Sequence, residues 1–596
     1  MEPRPRCSQR TMRFTRNALL LLLFLGFHPA FGKSCNQNEL RLAIGSASVG
    51  LSVHRLLPTC PGGFPSSHAT LDVAKSVSIP RFDQAPSQDR GASFRATNDF
   101  KGQNGPSIRL HVPPIAHTLP FVAAEAISNE VQPASPSASL PSVQVTAQIV
   151  PSGCKIPSAS PPSHVFYVDP IHGEMKNDGS QNAPWRTLEE VVKAGLIATQ
   201  HYASPYRPGA ELLPQNPNGV VRPGDVIYLR NGNHGSIDLF GAVNRDFITI
   251  EAEHGQKPVL SNLSLAGSSK WVFRGLTIQN AKITLVEFLN HDFLGPTDNI
   301  IFEENQLWSL PDVNKWTQQD WVNQGADIGI YDQAACSTIR GNQLRNIRRG
   351  IILTGDDALV DRNVIDNFGD DAIDITASRI TVRGNRITNS HDLGDGNHND
   401  AIQGWTVDGK TNRDTLIDGN TIIVSTDPAL PFPGYLQGIS VFDGIWENIR
   451  VTNNIVVTNA WHGIGLFGIR GGTIINNTVI GVDRAVTTWI GVFNMKMDAG
   501  GSPPSEVIVR NNIASKYSLS VSGTIADHNV IATNPRSLFA SFDIARAQYD
   551  LHILPNSRAR RAGILELAPH SDIVGQARAF PVDAGAYVWT EAQLPR

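Results

Sequence analysis

Residues 337–344 read STIRGNQL, and similar phrases return as ITVRGNRI at 380–387, IRVTNNIV at 449–456 and GTIINNTV at 472–479. Each phrase places apolar, mostly β-branched residues at alternate positions, as a half-buried β-strand does, and each carries an asparagine at the same point. The phrases are too short for helices and too regular for loops. They predict a chain built from repeated units of strand and turn.

The spacing of this asparagine gives the length of the repeat. Most intervals are 21–23 or 34–37 residues, and the last is 17. A period near 22 that insertions lengthen is typical of stacked coils, in which each coil buries apolar residues against its neighbours. The asparagine recurs at Asn305, Asn342, Asn363, Asn385, Asn420, Asn454, Asn477, Asn512 and Asn529.

We therefore predict an all-β fold, a right-handed parallel β-helix over residues 164–590, with a short capping helix in TLEEVVKAGLIA at 187–198. A β-propeller is the weaker alternative, because its blades need about 40 residues. We expect the asparagine column to be structural, since asparagine tolerates left-handed backbone geometry and can bond along the stack.

The region before residue 164 has a different character. Arginines precede an apolar run at 18–27, and small residues follow at 30–32, which predicts a signal peptide over 1–32. We expect a secreted protein, extracellular or periplasmic, without a membrane span after cleavage. Residues 33–163 are rich in proline, serine and alanine, so we expect a low-complexity, mostly disordered linker.

Charge and cysteine content exclude several classes of partner. The 596 residues carry 50 Lys+Arg and 54 Asp+Glu, a net charge of −4, without a long basic run. Nucleic acid is therefore not an expected partner. We also expect the protein to be a monomer. In an oxidising compartment Cys35 and Cys60 are the favoured disulfide pair because they are close in sequence, and no cysteine pair has the spacing of zinc ligands.

Alignment of the coils predicts which residues become neighbours. The inward apolar column contains Ile330, Ile351, Ile373, Ile402, Ile439 and Ile464. Two residues earlier the column reads Ile328, Arg349, Asp371, Asp400, Gln437 and His462, and one residue later it reads Tyr331, Ile352, Asp374, Gln403, Ser440 and Gly465. Since neighbouring strands lie about 4.8 Å apart, Arg349, Asp371 and Asp400 should form a charged ladder, with Asp374 and Gln403 beside it.

Stacked carboxyl groups suit acid catalysis, because two like charges at this distance raise the pKa of one of them. Structural alternatives remain. Arg349 and Asp371 are equally well interpreted as an ion pair between coils, and His462 as a turn histidine bonded to the backbone. The insertion NSHDLGDGNHNDAIQGW at 389–405 carries Asp392, Asp395 and Asp400, which suggest a calcium loop, and also His398.

Aromatic and basic side chains lie in or beside the same insertions. Tyr331, Trp405 and Trp461 are candidates for stacking on sugar rings, whose C–H faces are apolar. A groove flanked by such residues suits a polysaccharide. Gln403, Lys410 and Arg413 complete the predicted substrate-binding set.

Several phrases resemble a known group of proteins. NDGSQNAPWRTLEEV at 177–191 and RPGDVIYLRNGNH at 222–234 are similar to the opening coils of secreted β-helix polysaccharide lyases, and the segment 571–589 resembles their closing segment. GDDAIDI at 369–375 is similar to the double-Asp strand of polygalacturonases, and WHGIGL at 461–466 to their Gly-His-Gly strand. The resemblance makes Asp370 and Asp371 acid/base candidates and His462 an auxiliary group.

The leading hypothesis is a secreted enzyme that cleaves an acidic polysaccharide, with β-elimination slightly favoured by the resemblance of the opening coils. Elimination must neutralise a uronate carboxylate, for which calcium held by Asp residues is a candidate, and must remove a ring proton. Arg349, Lys410, Arg413 and His398 are candidates for the second task. The alternatives are a glycoside hydrolase that uses paired Asp residues, and a non-catalytic adhesin-type β-helix that binds glycan.

Overall fold

The computed structural model describes residues 41–44, 47–50, 153–157, 161–280, 282–494, 505–521 and 523–591. The chain divides into two units, Met1–Ser135 and Pro136–Arg596. In the first unit the strands Arg41–Ile44 and Ala47–Gly50 pair antiparallel. The predicted signal peptide, residues 1–32, lies outside the described residues, as does most of the predicted linker. In the described part of the chain no helix combines the length and apolar character that crossing a membrane requires.

The second unit is a parallel β-helix in which each regular coil contributes three short strands, one to each of three faces. The strands of every face pair in parallel with those of the neighbouring coils. The predicted all-β fold of stacked parallel coils is therefore confirmed.

Face A is the first face of each coil. Its strands are Val165–Val168, Val226–Leu229, Val243–Ala252, Ser269–Arg274, Asp298–Glu303, Thr338–Arg340, Leu359–Asp361, Thr381–Arg383, Leu416–Asp418, Ile445–Thr452, Ile469–Ile475, Ser505–Arg510 and Ile525–Asp527. Three further strands join its sheet: Thr411–Arg413, which pairs with Ile445–Thr452, and the antiparallel pair Thr199–Tyr202 and Leu212–Gln215.

Faces B and C follow face A along each coil, and the long strand Gln343–Leu353 contributes to both. The other strands of face B are Gly232–Asn233, Pro258–Leu260, Thr277–Gln279, Gln306–Trp308, Val364–Phe368, Arg386–Ser390, Thr421–Ile423, Ile455–Thr458, Thr478–Gly481, Ile513–Ala514 and Val530–Ile531. Those of face C are Ser236–Phe240, Asn262–Ala266, Val286–Leu289, Ala326–Asp332, Ile373–Ile375, Asn399–Gly404, Leu436–Val441, His462–Phe467, Trp489–Phe493 and Tyr517–Leu519.

The core is a continuous column of aliphatic and aromatic side chains inside the coils. The predicted inward isoleucines are all buried, and the register aligns them: Ile351 pairs with Ile373, and Ile402 pairs with Ile439. Stability accumulates coil by coil, because each coil removes the apolar surface of its neighbours from water.

The asparagine column lies at the turn between faces A and B. The Oδ1 atom of Asn363 accepts hydrogen bonds from the backbone N–H and from Nδ2 of Asn342, both at 2.9 Å, and this pattern repeats along the stack. The predicted bonding along the stack is therefore correct. The predicted left-handed geometry belongs instead to the residue before each asparagine, for example Arg362 (φ 54°) and Gly384 (φ 63°). That residue makes the turn between faces A and B, so the side chain of the asparagine can point towards the core.

Among the described residues, two α-helices and one 3-10 helix interrupt the strands. The predicted capping helix spans Leu188–Lys193, where the side chain of Thr187 accepts a hydrogen bond from the N–H of Glu190 and where Gly195 (φ 67°) follows the end. A second helix, Gln318–Gln324, lies in an insertion before face C and was not predicted. The 3-10 helix spans Pro535–Ser537.

The C-terminal segment packs against the outside of face B. It contains the antiparallel strands Phe539–Asp543 and Gln548–Ile553. Phe539 and Leu551 join Ile455 and Ile480 of face B in a second hydrophobic cluster. This covers face B near the C-terminal coils.

A disulfide attaches the start of the second unit to the coils. Cys154 and Cys336 are bonded, with 5.3 Å between their Cα atoms, and the N–H of Lys155 donates to Oδ1 of Asn299 at 2.7 Å. The sequence did not predict this pair, because the two cysteines are 182 residues apart. The predicted partners Cys35 and Cys60 lie outside the described residues.

Candidate active site

The predicted aspartates lie at or just after the turn from face B to face C on neighbouring coils. Asp374 pairs with Gln403, and Asp400 pairs with Gln437, as the alignment of the sequence required. The N–H of Ala372 donates to the carbonyl of Asp400 at 2.9 Å. Stacking of the coils therefore brings together residues that are about 30 positions apart in the chain.

Four aspartates form a carboxyl cluster, which we define as Asp370, Asp371, Asp374 and Asp400. Asp371 is partly exposed, whereas the other three are at most 3% exposed. The N–H of Asp400 donates to Oδ1 of Asp371 at 2.8 Å, which ties the two coils together at the cluster. Among the described residues, the Oδ1 atoms of the three buried aspartates have no hydrogen-bond partner.

Burial raises the pKa values of the carboxyl groups in the cluster. It raises the pKa of Asp371 well above the usual range, and the charges of Asp374 and Asp400 raise it further. Burial also raises the pKa of Asp374 to about 7, against the opposing effect of Arg349. A carboxyl group whose pKa is raised by burial and that is partly open to solvent is suited to donate a proton, and Asp371 has both properties.

His398 and Asp400 form a dyad. The Nδ1 atom of His398 lies 2.8 Å from Oδ2 of Asp400, which is fully buried, while 47% of the His398 side chain is exposed. This hydrogen bond raises the pKa of His398, and burial raises the pKa of Asp400. In the described part of the chain Nε2 of His398 has no hydrogen-bond partner. Because the buried carboxylate holds Nδ1, Nε2 is free to take a proton from another molecule.

The predicted ion pair between Arg349 and Asp371 is wrong, because Arg349 contacts a different aspartate. Arg349 Nε lies 3.6 Å from Oδ2 of Asp370 instead. The closer partner of Asp370 is Arg348, whose Nη2 lies 3.1 Å from the same oxygen, and the sequence had not singled out Arg348. Burial raises the pKa of Asp370 even though both arginines oppose it. Asp370 is therefore paired with two guanidinium groups. The side chain of Arg349 is 40% exposed, so it can also contact an anion from solution.

The structure does not bring the predicted calcium ligands together. Oδ1 of Asp392 accepts a hydrogen bond from the N–H of Gly394, and Asp395 Oδ2 lies 3.6 Å from Arg348 Nη2. Asp400 is held by His398. Within the described ranges no group of three or more His, Cys, Asp or Glu side chains is placed to hold a metal ion. Calcium binding stays a prediction that rests on the sequence.

Two predicted substrate-binding residues lie in a cleft at the far end of face C. The cleft has a volume of about 510 Å³ and includes Lys410 and Arg413 among its walls, together with Thr354 on the coil before the cluster and Thr376, two residues beyond Asp374. Arg379 also lines it, but its guanidinium group is paired with Asp356 and Asp357. Lys410 is exposed, and its ammonium group has no ion pair with a described residue. The cleft therefore offers the ammonium group of Lys410 as an unpaired cation, whereas Nη2 of Arg413 lies 3.7 Å from Oε2 of Glu447.

Three further predicted residues have different surroundings. Gln403 lies beside Asp374, and its Nε2 donates to Oδ2 of Asp400 at 3.4 Å, so it belongs to the cluster. Trp405 is partly exposed on the same coil. Tyr331 is in register with Ile352 and is two coils from Asp374, with its hydroxyl accepting from Gln333 Nε2 at 3.1 Å.

His462 lies three coils beyond Asp371 and does not touch the cluster. Its Nδ1 is hydrogen-bonded to Oε1 of Gln437, which is a side chain rather than the backbone partner of the alternative interpretation. Burial lowers the pKa of His462 to about 4, so the ring is neutral. Trp461 is 41% exposed, and its ring centroid lies 6.0 Å from that of Tyr435.

The sequence reasoning missed an aromatic row, which we define as Phe442, Phe467, Trp489 and Phe493. The rings of Phe442 and Phe467 lie 5.3 Å apart, and those of Phe467 and Phe493 lie 4.7 Å apart. All four are partly exposed on face C. The signal was available, because the three phenylalanines follow the inward isoleucine of their coils by three residues, as Trp405 does.

Comparison with known proteins identifies the fold. Residues 327–498 match the family model described as the right handed beta helix region, which confirms the predicted fold class. No curated protein matches the sequence.

Three solved structures illustrate the likeness. The pectate lyase Pel9A is 17% identical, with 72% of this chain and 96% of that one covered and a TM-score of 0.38. The GH136 lacto-N-biosidase from Eubacterium ramulus is 14% identical over 62% and 68%, with a TM-score of 0.35. PfbA, a surface adhesin of Streptococcus pneumoniae, is 9% identical over 49% and 80%, with a TM-score of 0.31. Scores this low carry no argument about activity.

Proposed function

We propose that this protein cleaves the glycosidic bonds of an acidic polysaccharide by β-elimination at the turn between faces B and C. The observation that carries the proposal is the His398–Asp400 dyad beside the partly exposed Asp371. One side chain is suited to take a proton and the other to give one. Both reach the same surface from neighbouring coils.

The base is His398. Asp400 holds its Nδ1, so Nε2 takes the proton from the ring carbon next to the uronate carboxylate. The electron pair of that C–H bond forms the new carbon–carbon double bond, and the bond to the glycosidic oxygen breaks. Asp371 gives its proton to the departing oxygen.

The cationic side chains bind acidic groups of the polymer and take no part in the proton transfers. The carbon–hydrogen bond is acidic enough only when the negative charge of the neighbouring carboxylate is offset. Arg349 is near enough to the cluster to contact this carboxylate, because its guanidinium group lies 3.6 Å from Asp370 and is 40% exposed. Lys410 and Arg413 in the cleft would bind further acidic sugars along the polymer.

Hydrolysis by paired carboxyl groups is the second candidate. The raised pKa of Asp371 and Asp374 favours it, since one carboxyl group would then act as acid and another as base. Burial argues against it: Asp374 is 3% exposed and Asp400 is fully buried, so neither is placed to contact a sugar or an attacking water.

The experiment is an assay of the purified protein on pectic, alginate and capsular polysaccharides. Elimination produces an unsaturated uronate, which absorbs in the ultraviolet, together with new reducing ends. Reducing ends without that absorbance would indicate hydrolysis, and binding without either product would indicate the adhesin-type alternative. Secretion, predicted from residues 1–32, is tested separately by the N-terminal sequence of the mature protein.

A further inference from the structure

Along the strands of face C, charged side chains stop at the coil of Asp400. The strands that lead up to it include Arg348, Arg349 and Asp374. The three strands that follow contain no Asp, Glu, Lys or Arg: Leu436–Val441, His462–Phe467 and Trp489–Phe493. The described charged residues closest to them in sequence lie in the connections between strands: Asp443, Asp483, Arg484 and Lys516. The electrostatic character of face C therefore changes one coil beyond the carboxyl cluster.

His462 is the one side chain of these three strands that can carry a charge near neutral pH, and it is uncharged. Burial lowers its pKa to about 4, and the charge of His398 adds to this effect. The influence of His398 shows that the two imidazoles are within electrostatic range of each other. The ring of His462 lies 4.7 Å from that of Trp489 and 5.3 Å from that of Phe442. An uncharged polar group in aromatic surroundings thus lies on the surface that carries the proposed base.

One ring nitrogen of His462 is available to a ligand. Nδ1 is hydrogen-bonded to Oε1 of Gln437, and Nε2 has no hydrogen-bond partner among the described residues. Gln437 pairs with Asp400, and its strand pairs with that of His462, so two coil spacings separate His462 from Asp400. This is about 10 Å along the axis. A sugar close to the reacting one, rather than the reacting sugar itself, would contact His462.

Tyr435 and Trp461 extend this surface, and both are exposed. The ring of Trp461 lies 6.0 Å from that of Tyr435 and 5.9 Å from that of His462. The hydroxyl of Tyr435 accepts a hydrogen bond from the N–H of Trp461 at 3.3 Å. The negative charge of Asp483 adds to the rise that burial causes in the pKa of Tyr435, so a neighbouring charge is acidic. We define Tyr435, Trp461 and His462 as the neutral subsite.

We propose that the neutral subsite binds an uncharged sugar, so that the preferred polymer has a neutral residue close to the uronate at which it is cut. A sugar hydroxyl both donates and accepts hydrogen bonds, as the free nitrogen of His462 and the hydroxyl of Tyr435 require. A carboxylate placed here would lose its hydration without gaining a cationic partner. Arg349 and Lys410, which suit uronates, lie on the coils up to and including that of Asp400. The position of the cut rests on the proposed function, but the binding preference can be measured without turnover.

The first test compares two sets of hexasaccharides for binding to the Asp371→Asn protein, which should bind without cutting. One set contains only galacturonate, mannuronate or guluronate. The other set alternates galacturonate with rhamnose, or glucuronate with glucose. In calorimetry the tightest alternating hexasaccharide should bind about tenfold more tightly than the tightest uronate-only one, because only the latter brings carboxylates to the neutral subsite.

Tyr435→Phe in the same protein removes one hydroxyl. It should weaken binding of the alternating hexasaccharide about three- to tenfold, the loss expected for one hydrogen bond, and should leave binding of the uronate-only set unchanged. A purely structural role of the hydroxyl would affect both sets equally. His462→Lys adds a cation and should shift the preference towards the uronate-only set. Tyr435→Phe decides the test if His462→Lys does not fold.

The control is Tyr549→Phe. Tyr549 lies in the C-terminal segment that packs outside face B, so loss of its hydroxyl should leave the binding of both sets unchanged. Equal or tighter binding of the uronate-only set, an equal effect of Tyr435→Phe on both sets, or binding of neither set would overturn the neutral subsite. If the wild-type protein cuts no polymer but keeps the preference for alternating hexasaccharides, the proposed function alone is overturned.

Discussion

The backbone N–H of Asp400 donates a hydrogen bond of 2.8 Å to the side-chain Oδ1 of Asp371 on the preceding coil. A side chain that accepts this bond is fixed in position by the stacking of the coils. The bond opposes the rise in the pKa of Asp371 that burial and the neighbouring carboxylates cause. The same contact therefore holds the proton donor in place and opposes part of the rise in its pKa.

Replacement of Asp371 by Asn should stop catalysis without unfolding the protein. The amide Oδ1 can still accept the N–H of Asp400, but the group has no proton to give. We expect turnover of the cleaved polymer to fall about 10²- to 10⁴-fold. The melting temperature should stay within a few degrees. Asp408→Asn is the matched control, because Asp408 is an exposed turn residue with a φ of 56° that asparagine tolerates. Full activity of Asp371→Asn would exclude it as the acid.

The pH dependence of the rate should reflect the ionisation of His398 in the His398–Asp400 dyad. The hydrogen bond to Asp400 raises the pKa of His398 above its ordinary 6.5, so the rate should increase as the pH rises through that value and the base loses its proton. In Asp400→Asn this effect is lost. We expect the acidic limb of kcat/KM to move to lower pH and the maximal rate to fall. An unmoved limb would mean that His398 is not the base.

Stability should decrease as the pH rises, in part because of Asp374. Its pKa is raised to about 7 in the folded protein from 3.8, so the folded state binds more protons than the unfolded chain between these values. Stability is then greatest below about pH 4 for this group and is lost progressively up to about pH 7. Asp374→Asn should flatten the fall in melting temperature between pH 5 and pH 8. Parallel curves for the two proteins would contradict the assignment.

The two adjacent arginines should have separable effects. Arg348 lies 3.1 Å from Asp370, which is 1% exposed, so Arg348→Ala leaves a buried carboxylate poorly compensated. We expect a loss of stability of about 3 kcal/mol. Arg349→Ala should change stability little and should raise KM for the acidic polymer, since its side chain is more exposed. Chemical denaturation and steady-state kinetics on both variants distinguish the roles, and equal stability losses would refute the distinction.

The asparagine column should contribute more in its middle than at its end. Asn420→Ala removes the acceptor of both the backbone N–H and Nδ2 of Asn385, each at 2.9 Å in a buried environment. Leaving two buried donors unpaired should cost roughly 3 kcal/mol. Asn529→Ala is the control, because Asn529 is partly exposed and water can replace it. A similar loss for both variants in denaturant unfolding would contradict this account.

Much of the site could be predicted because the register of a β-helix follows from its inward residues. Once Ile373 and Ile402 are aligned, Asp374 must lie beside Gln403. The neighbours of Asp370 were less predictable, since whether Arg348 or Arg349 turns towards it depends on the local bend of the long strand Gln343–Leu353. The catalytic, substrate-binding and calcium roles stay predictions until they are measured.

The fold and the order of the coils followed from the sequence, because alternating apolar residues and a repeated asparagine can all be buried at once only if the turns stack. Tertiary structure decided which polar atoms pair: Cys154 with Cys336, Arg348 with Asp370, and His398 with Asp400. These depend on side-chain directions and loop paths, which the periodicity of a sequence does not contain.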